Sequence, residues 1–241
     1  MKTSILILLL FALSVFAETQ YEIGEAGPLG NRVVRETSLK SPLSDIEDSL
    51  AALYHRNGYL MAVAVAEVDS LPNAIVRVRI DINPGPISVV EKYEIDGFPF
   101  ELPSMEIKVG KPFIEKNLAK DMTKLVESLE NRGFPFASVE IESLAIGPAE
   151  IDEIPVRIVL QIIQGDSVRI KQVIINDDLK TKVHVVERLM LLDLPELYSQ
   201  RRIDKGIERI RDVGWLDVSG QPQLLLDETG FWLLRVPVSE G

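Results

Sequence analysis

The side chains that could do chemistry in this 241-residue chain are few: two histidines, His55 and His184, and no cysteine. His184 and Glu187 stand three apart in a helical pattern and could share a face, but no His pair has metal-ligand spacing and no glycine-rich phosphate loop is present. The simplest reading is an exposed helix histidine beside a surface carboxylate. His55 closes another helical pattern, where a partly positive imidazole suits the local dipole. No catalytic, metal or cofactor site follows, and the chain is not expected to be an enzyme. The remaining chemistry is that of the main chain itself. Leu60 to Ala66 reads Leu-Met-Ala-Val-Ala-Val-Ala, with no charge and no proline, larger side chains on one face and alanines on the other. An extended segment of that composition pairs readily with another strand.

What positions such a segment is a repeat. Stepping back nine, seven, five and three residues from Gly85, Gly165 and Gly241 gives Val76, Val78, Ile80, Ile82; then Val156, Ile158, Leu160, Ile162; then Trp232, Leu234, Val236, Val238. Each is a period-two apolar run ending at a fixed distance before a glycine. A second anchor agrees: Gly58, Gly133 and Gly214 each follow a helical pattern and precede an aromatic, at separations of 75 and 81 residues. Self-similarity at fixed period defines the architecture. The expected domains are 18–85, 86–165 and 166–241.

Met1 to Ala17 stands apart, with Lys2 as its only charge, an apolar stretch from Ile5 to Phe16, and small residues Val15 and Ala17 before the cut. It is expected to be a secretory signal peptide. The remainder holds 25 basic against 37 acidic side chains. Such an acidic chain without a basic cluster is a poor ligand for nucleic acid or anionic headgroups. Lacking disulfides, it must be held by packed cores.

The second repeat is the clearest. Val89–Ile95 is β-rich, Pro99, Pro103 and Gly110 punctuate a passage where one short helix is expected, and Leu118, Met122, Leu125 and Leu129 form a helical face. Strands are expected at Ala137–Leu144 and Pro155–Ile163. The third repeat has strands at Val168–Ile175, Trp215–Ser219 and Phe231–Val238, with helices at Lys182–Leu192 and Tyr198–Val213, after a turn at Asn176-Asp177-Asp178. In the first, Tyr21–Ile23 is a strand, the helix between Gly30 and Lys40 is faint, Asp45–His55 is a helix, and Met61–Val68 and Ile75–Ile82 are strands. The fold class is therefore α+β, a β-α-α-β-β order giving a mixed three-stranded sheet with two helices on one face. Phe134, Trp215 and Tyr198 are expected in the core.

This order resembles the POTRA (polypeptide-transport-associated) domain of outer-membrane β-barrel assembly and translocation proteins, the surface antigen family. The resemblance rests on Val90, Tyr93, Ile95, Asp96, Gly97; on Leu197-Tyr198-Ser199, Ile203, Ile207, Ile210, Gly214-Trp215-Leu216, Val218; and on the closing Val236-Pro237-Val238-Ser239-Glu240-Gly241. Asp177 departs from it, standing where a glycine is usual. The resemblance implies a periplasmic scaffold that holds unfolded outer-membrane protein clients, or assembly-machinery subunits, by β-augmentation. It also implies a membrane β-barrel after Gly241; a two-partner secretion transporter, a barrel-less periplasmic adaptor and a one-module cell-division scaffold are the alternatives. If strand two of each repeat is outermost, Glu140 and Glu142 guard the second edge, and Gly220 and Pro222 shorten the third. The first is then the expected partner edge: Met61, Ala62, Val63, Ala64, Val65 and Ala66, unless the Gly24–Gly30 segment covers it. Val63→Pro is the substitution expected to abolish pairing there. Of the two linkers, Pro84-Gly85-Pro86 is expected to be stiff and Gln164-Gly165-Asp166 to bend more.

Overall fold

A computed structural model describes residues 18–72, 75–149, 152–176 and 180–240. The expected signal peptide lies outside these residues, as do Asp177 and Asp178 of the expected turn. Two compact units divide the chain: one is Met1–Ser88 with Ala149–Ile154, the other Val89–Pro148 with Pro155–Gly241.

In the first unit, β1 (Glu18–Ile23) leads to α1 (Gly30–Lys40), α2 (Ile46–His55), β2 (Val63–Leu71) and β3 (Ile75–Asn83). The sheet order is β1-β3-β2, with β1 parallel and β2 antiparallel to β3. A short connection makes the β2–β3 hairpin, while β1 reaches its place through the helical crossover. The core is Val34, Ile46, Leu50, Tyr54, Ala62, Ala64, Val78, Ile80 and Ile82. Helix α1 runs a full 11 residues although its apolar pattern is faint. One of its two buried side chains is Ser38, whose hydroxyl donates to the Val34 carbonyl at 2.9 Å, so a polar residue occupies a core position with its hydrogen bond satisfied.

The second sheet is β4 (Ile87–Asp96), β5 (Ser138–Ile146) and β6 (Glu153–Ile163) in the order β4-β6-β5. Across it lies α3 (Glu115–Glu130), which buries Leu118, Asp121, Leu125 and Leu129. Here the expected pair of helices is corrected to one. Residues 97–114 hold no helix, and their main chain is bound otherwise: Val90 N donates to Lys111 O at 2.9 Å, and Gly110 N to Val90 O at 2.8 Å. The carboxylate of Asp121, wholly buried on α3, accepts the N–H groups of Glu106 (2.6 Å) and Ile107 (2.9 Å). Three prolines, two glycines and a carboxylate acceptor for the loop's amides remove both the means and the need to close helical turns.

The rest of the chain adds β7 (Arg169–Ile174), α4 (Val183–Met190), β8 (Glu196–Leu197), α5 (Gln200–Asp212), β9 (Leu216–Val218), β10 (Gln223–Leu226), β11 (Trp232–Arg235) and β12 (Val238–Glu240), with β9 and β12 paired as a small sheet beside the third. The order of the third sheet is β10-β11-β7-β8, and β7 is parallel to β11. The expected final hairpin is present but broken in two. Pro237 has no N–H to donate, so the ladder stops at Arg235 and resumes as β12 against β9, while β10 continues the partner strand beyond Pro222. Val186, Met190, Ile203, Ile207 and Ile210 from the two helices meet Ile170, Val173 and Leu234 in one core.

The glycine anchors of the repeat mark a backbone requirement. Gly58, Gly133 and Gly214 have φ of 93°, 103° and 75°. At the first two, the following residue's N–H returns to a carbonyl inside the helix, Tyr59 N to Tyr54 O and Phe134 N to Leu129 O, both at 3.1 Å.

Candidate strand-pairing edges

A strand at a sheet edge alternates residues bonded inward with residues whose N–H and C=O point outward. For β2 the phase is fixed by Ala66, which lies opposite Ile80. The carbonyl of Ile80 is taken on the far side by Gly24 N at 2.9 Å, so the main chain of Ala66 faces away from the sheet. By alternation Ala62, Ala64 and Val68 face outward too, and Val63 and Val65 bond inward.

The side chains of this edge are inverted relative to an ordinary amphipathic strand. Ala62 and Ala64 are 5% and 7% exposed and face the core, while Met61, Val63 and Val65 are 54%, 57% and 50% exposed. The larger residues thus form a solvent-facing apolar stripe beside outward main-chain groups. Of the six expected residues, Val63 to Ala66 lie in β2, and Met61 and Ala62 lie in the turn before it. The segment Gly24–Gly30 does not cover this edge at its start, since Gly24 extends the β1 side of β3.

The edge is not bare, however, and its guards come from a helix that local periodicity does not link to it. Glu47, in the first turn of α2, accepts the Ala66 N–H on its Oε1 at 2.7 Å. At the other end of α2, His55 Nε2 donates to the Ala62 carbonyl at 3.2 Å, which requires that nitrogen to carry the proton. Two side chains eight residues apart on one helix therefore bracket Ala64. The signal was weak because neither residue is near the strand in sequence.

The second edge, β5, carries the exposed Glu140 and Glu142 together with an irregularity of register. The β5–β6 register shifts between Ile141 and Ser143, leaving Glu142 as the extra residue of a bulge. The slip moves the apolar phase from odd to even residues, so Val139, Ile141, Leu144 and Ile146 all lie opposite Ile162, Leu160, Ile158 and Val156. With one helix over this sheet, Ile141, Leu144 and Ile146 stay more than 40% exposed. The change of parity between Ile141 and Leu144 was legible in the sequence as a bulge. At the third edge, β10 carries exposed Leu225 and Leu226 beyond the Gly220–Pro222 interruption.

Elsewhere, Tyr198 is buried as expected, and burial with the nearby Glu130 and Asp204 carboxylates pushes its hydroxyl up to about 12. Trp215 departs from the core expectation and is 48% exposed. Phe134 is partly buried and lies 6.1 Å from Phe100. His184 is exposed on α4, and among the described residues no group of three His, Cys, Asp or Glu is placed to hold a metal.

The joint between the second and third sheets, expected to bend more for want of proline, is tied by side chains and lies within one compact unit. Asn131 Oδ1, just past α3, accepts from Arg201 N (2.9 Å) and Ser199 Oγ (3.1 Å) at the start of α5. Val168 N donates to Gly133 O at 2.7 Å, and the rings of Phe136 and Trp232 lie 5.4 Å apart.

Residues 102–162, from the bound loop through α3 to the end of β6, match the sequence model of the family described as POTRA, surface antigen variable number repeat. Among solved structures, POTRA domains 3–5 of Haemophilus influenzae BamA align over 93% of this chain and 96% of that one, at 15% identity and a TM-score of 0.55. At that identity the likeness is one of fold. BamA from Haemophilus ducreyi lacking POTRA domains 1–3 aligns at 14% identity over 56% of this chain and 25% of that one, TM-score 0.46. POTRA domains 1–3 of Omp85 from Anabaena align at 17% identity over 93% and 95%, TM-score 0.35.

Proposed function

Since residues 102–162 match the POTRA family model, we propose that 18–85, 86–165 and 166–241 are three such domains in tandem and that together they form an exported scaffold in the periplasm. The scaffold holds extended segments of unfolded outer-membrane proteins, or partner subunits, by adding a strand to an open sheet edge. It acts next to the outer membrane, as the N-terminal part of a protein whose barrel follows. Main-chain pairing tolerates many sequences, which suits a scaffold serving more than one client. The principal edge is Met61 to Ala66. The observation that carries this choice is the outward main chain of Ala64 beside the exposed stripe of Met61, Val63 and Val65.

The strand phase alters the test. Val63 bonds inward, so Val63→Pro would break the protein's own ladder; Ala64→Pro removes an outward N–H instead. Val65→Asp leaves the main chain intact and places a charge in the apolar stripe. Each variant is expected to lower photo-crosslinking of an extended client peptide at this edge by about tenfold, Ala64→Pro through a lost main-chain hydrogen bond and Val65→Asp through the charge set in the apolar stripe. Unchanged crosslinking in both would refute the assignment.

β5 supports a second edge by an independent observation, the half-exposed apolar row of Ile141, Leu144 and Ile146. The membrane association is tested by fractionating cells of the source organism with an antibody to residues 18–241. An outer-membrane band larger than this chain, shifting mobility on boiling, is expected; a soluble periplasmic band at 241 residues or fewer would contradict it.

A further inference from the structure

We propose that Glu47 gates the β2 edge and makes it selective for extended chains that bring a basic side chain to the register position beside Ala66. The inference rests on the assignment of β2 as the partner edge and adds what that edge selects.

The Ala66 N–H is one of the outward donors an incoming strand would use, and Glu47 Oε1 already holds it at 2.7 Å. A strand pairing through Ala66 must offer a carbonyl in place of that carboxylate and turn Glu47 away. Glu47 is exposed and is partnered in none of the ion pairs among the described residues. Once displaced, its charge lies at the rim of a newly covered, drier interface with Asp48 beside it on α2, while Glu67, next in β2, projects from the opposite face of the sheet. Glu67 is itself neutralised across the sheet, its Oε2 lying 3.4 Å from Arg79 Nη1. Asp69, two residues further along β2, faces the same side as Glu67 and is also exposed.

A neutral strand therefore gains one main-chain hydrogen bond, loses another, and leaves a carboxylate partly desolvated without a counterion. A lysine or arginine at that position converts the displaced carboxylate into an ion pair and reverses the balance. His55 adds no such selection, because a strand carrying an N–H opposite Ala62 replaces one donor by another. Glu47 is thus a specificity-determining residue, with Ala64 as the part of the edge that any strand can use.

The test measures binding of the full chain to a labelled seven-residue peptide of alternating valine and threonine with blocked ends, and to its seven single-lysine variants, at fixed moderate salt. The wild type is expected to prefer one lysine position about fivefold over the parent peptide, as a partly exposed ion pair allows. Glu47→Gln, which keeps an acceptor oxygen and loses the charge, should abolish that preference. Glu47→Ala should bind the parent peptide more tightly than the wild type does. Parent binding that is sensitive to Val65→Asp but shows no favoured lysine position, or a preference that survives Glu47→Gln, would overturn the gate and leave the edge standing. Binding indifferent to both Ala64→Pro and Val65→Asp, or no binding of any peptide, would overturn the edge assignment and the gate with it.

Discussion

Asp121 shows how one side chain can decide what a whole segment becomes. A wholly buried carboxylate is costly unless its oxygens are bonded, and here two amides and the more distant Tyr93 hydroxyl supply the bonds. Lys124, one turn further along α3, reinforces the clamp by reaching the Ser104 carbonyl and the Glu106 carboxylate, both at 2.8 Å. Asp121→Ala strands two amides at once and is expected to cost about 3 kcal/mol, with faster amide exchange over 100–111. Chemical denaturation and hydrogen exchange read the two effects. Glu130 behaves oppositely: burial, with Glu127 and Asp204 nearby, raises its carboxyl above the usual range. A carboxyl whose folded pKa is raised binds its proton more tightly when folded, so stability falls as pH rises from the ordinary carboxylate range through the raised value. Glu130→Gln should therefore stabilise the chain at pH 7 by less than about 1 kcal/mol after solvent screening, and the gain should vanish near pH 4. A melting comparison at the two pH values checks it.

Among the elements, the two helices of the third sheet depend on a close approach that the hydrophobic stripe alone does not reveal. Ile203, Ile207 and Ile210 marked the buried side of α5, but the residue against α4 is Gly206. A Cβ there would lie 3.1 Å from the Met190 Cα and Cβ, atoms that cannot move without shifting the helix. Gly206→Ala gains about 1 kcal/mol of helix propensity and loses about 1–3 kcal/mol to overpacking. The net expectation is a lower melting temperature, and a rise would show that α4 can slide. The same scale explains what the periodicity missed. α1 reads only faintly in the sequence because Ser38 occupies a core position, and the single helix over the second sheet leaves the β5 apolar row half-exposed.

For the molecule as a whole, linker composition does not register the side-chain ties at the joint after Gly165. Proline content suggested that the joint after Gly165 would be the looser one, yet the second and third sheets form one compact unit. Asn131 is the tie that reaches furthest, joining the end of α3 to the first turn of α5. Asn131→Ala should cost about 1 kcal/mol, as loss of a helix cap does, and should broaden the scattering-derived size distribution of residues 86–241. An unchanged distribution would mean that the Val168–Gly133 bond and the Phe136–Trp232 pair hold the joint without it.

By itself, the sequence determined the α+β order and most strand and helix positions. These follow from short-range rules: period-two runs make half-buried strands, i, i+4, i+7 stripes make helices, and a left-handed turn selects glycine at Gly58, Gly133 and Gly214. It also determined the composition of the Leu60–Ala66 segment, and hence that this strand would pair if left open. Tertiary structure alone decided which of its main-chain groups face outward, because that depends on Gly24 reaching Ile80 from another strand. It alone decided that Glu47 and His55 stand over that edge, 19 and 7 residues away along the chain. The bound loop in place of a helix, the close contact at Gly206 and the tied joint belong to the same class. Each depends on a partner brought near by the fold, and local periodicity carries no record of such partners.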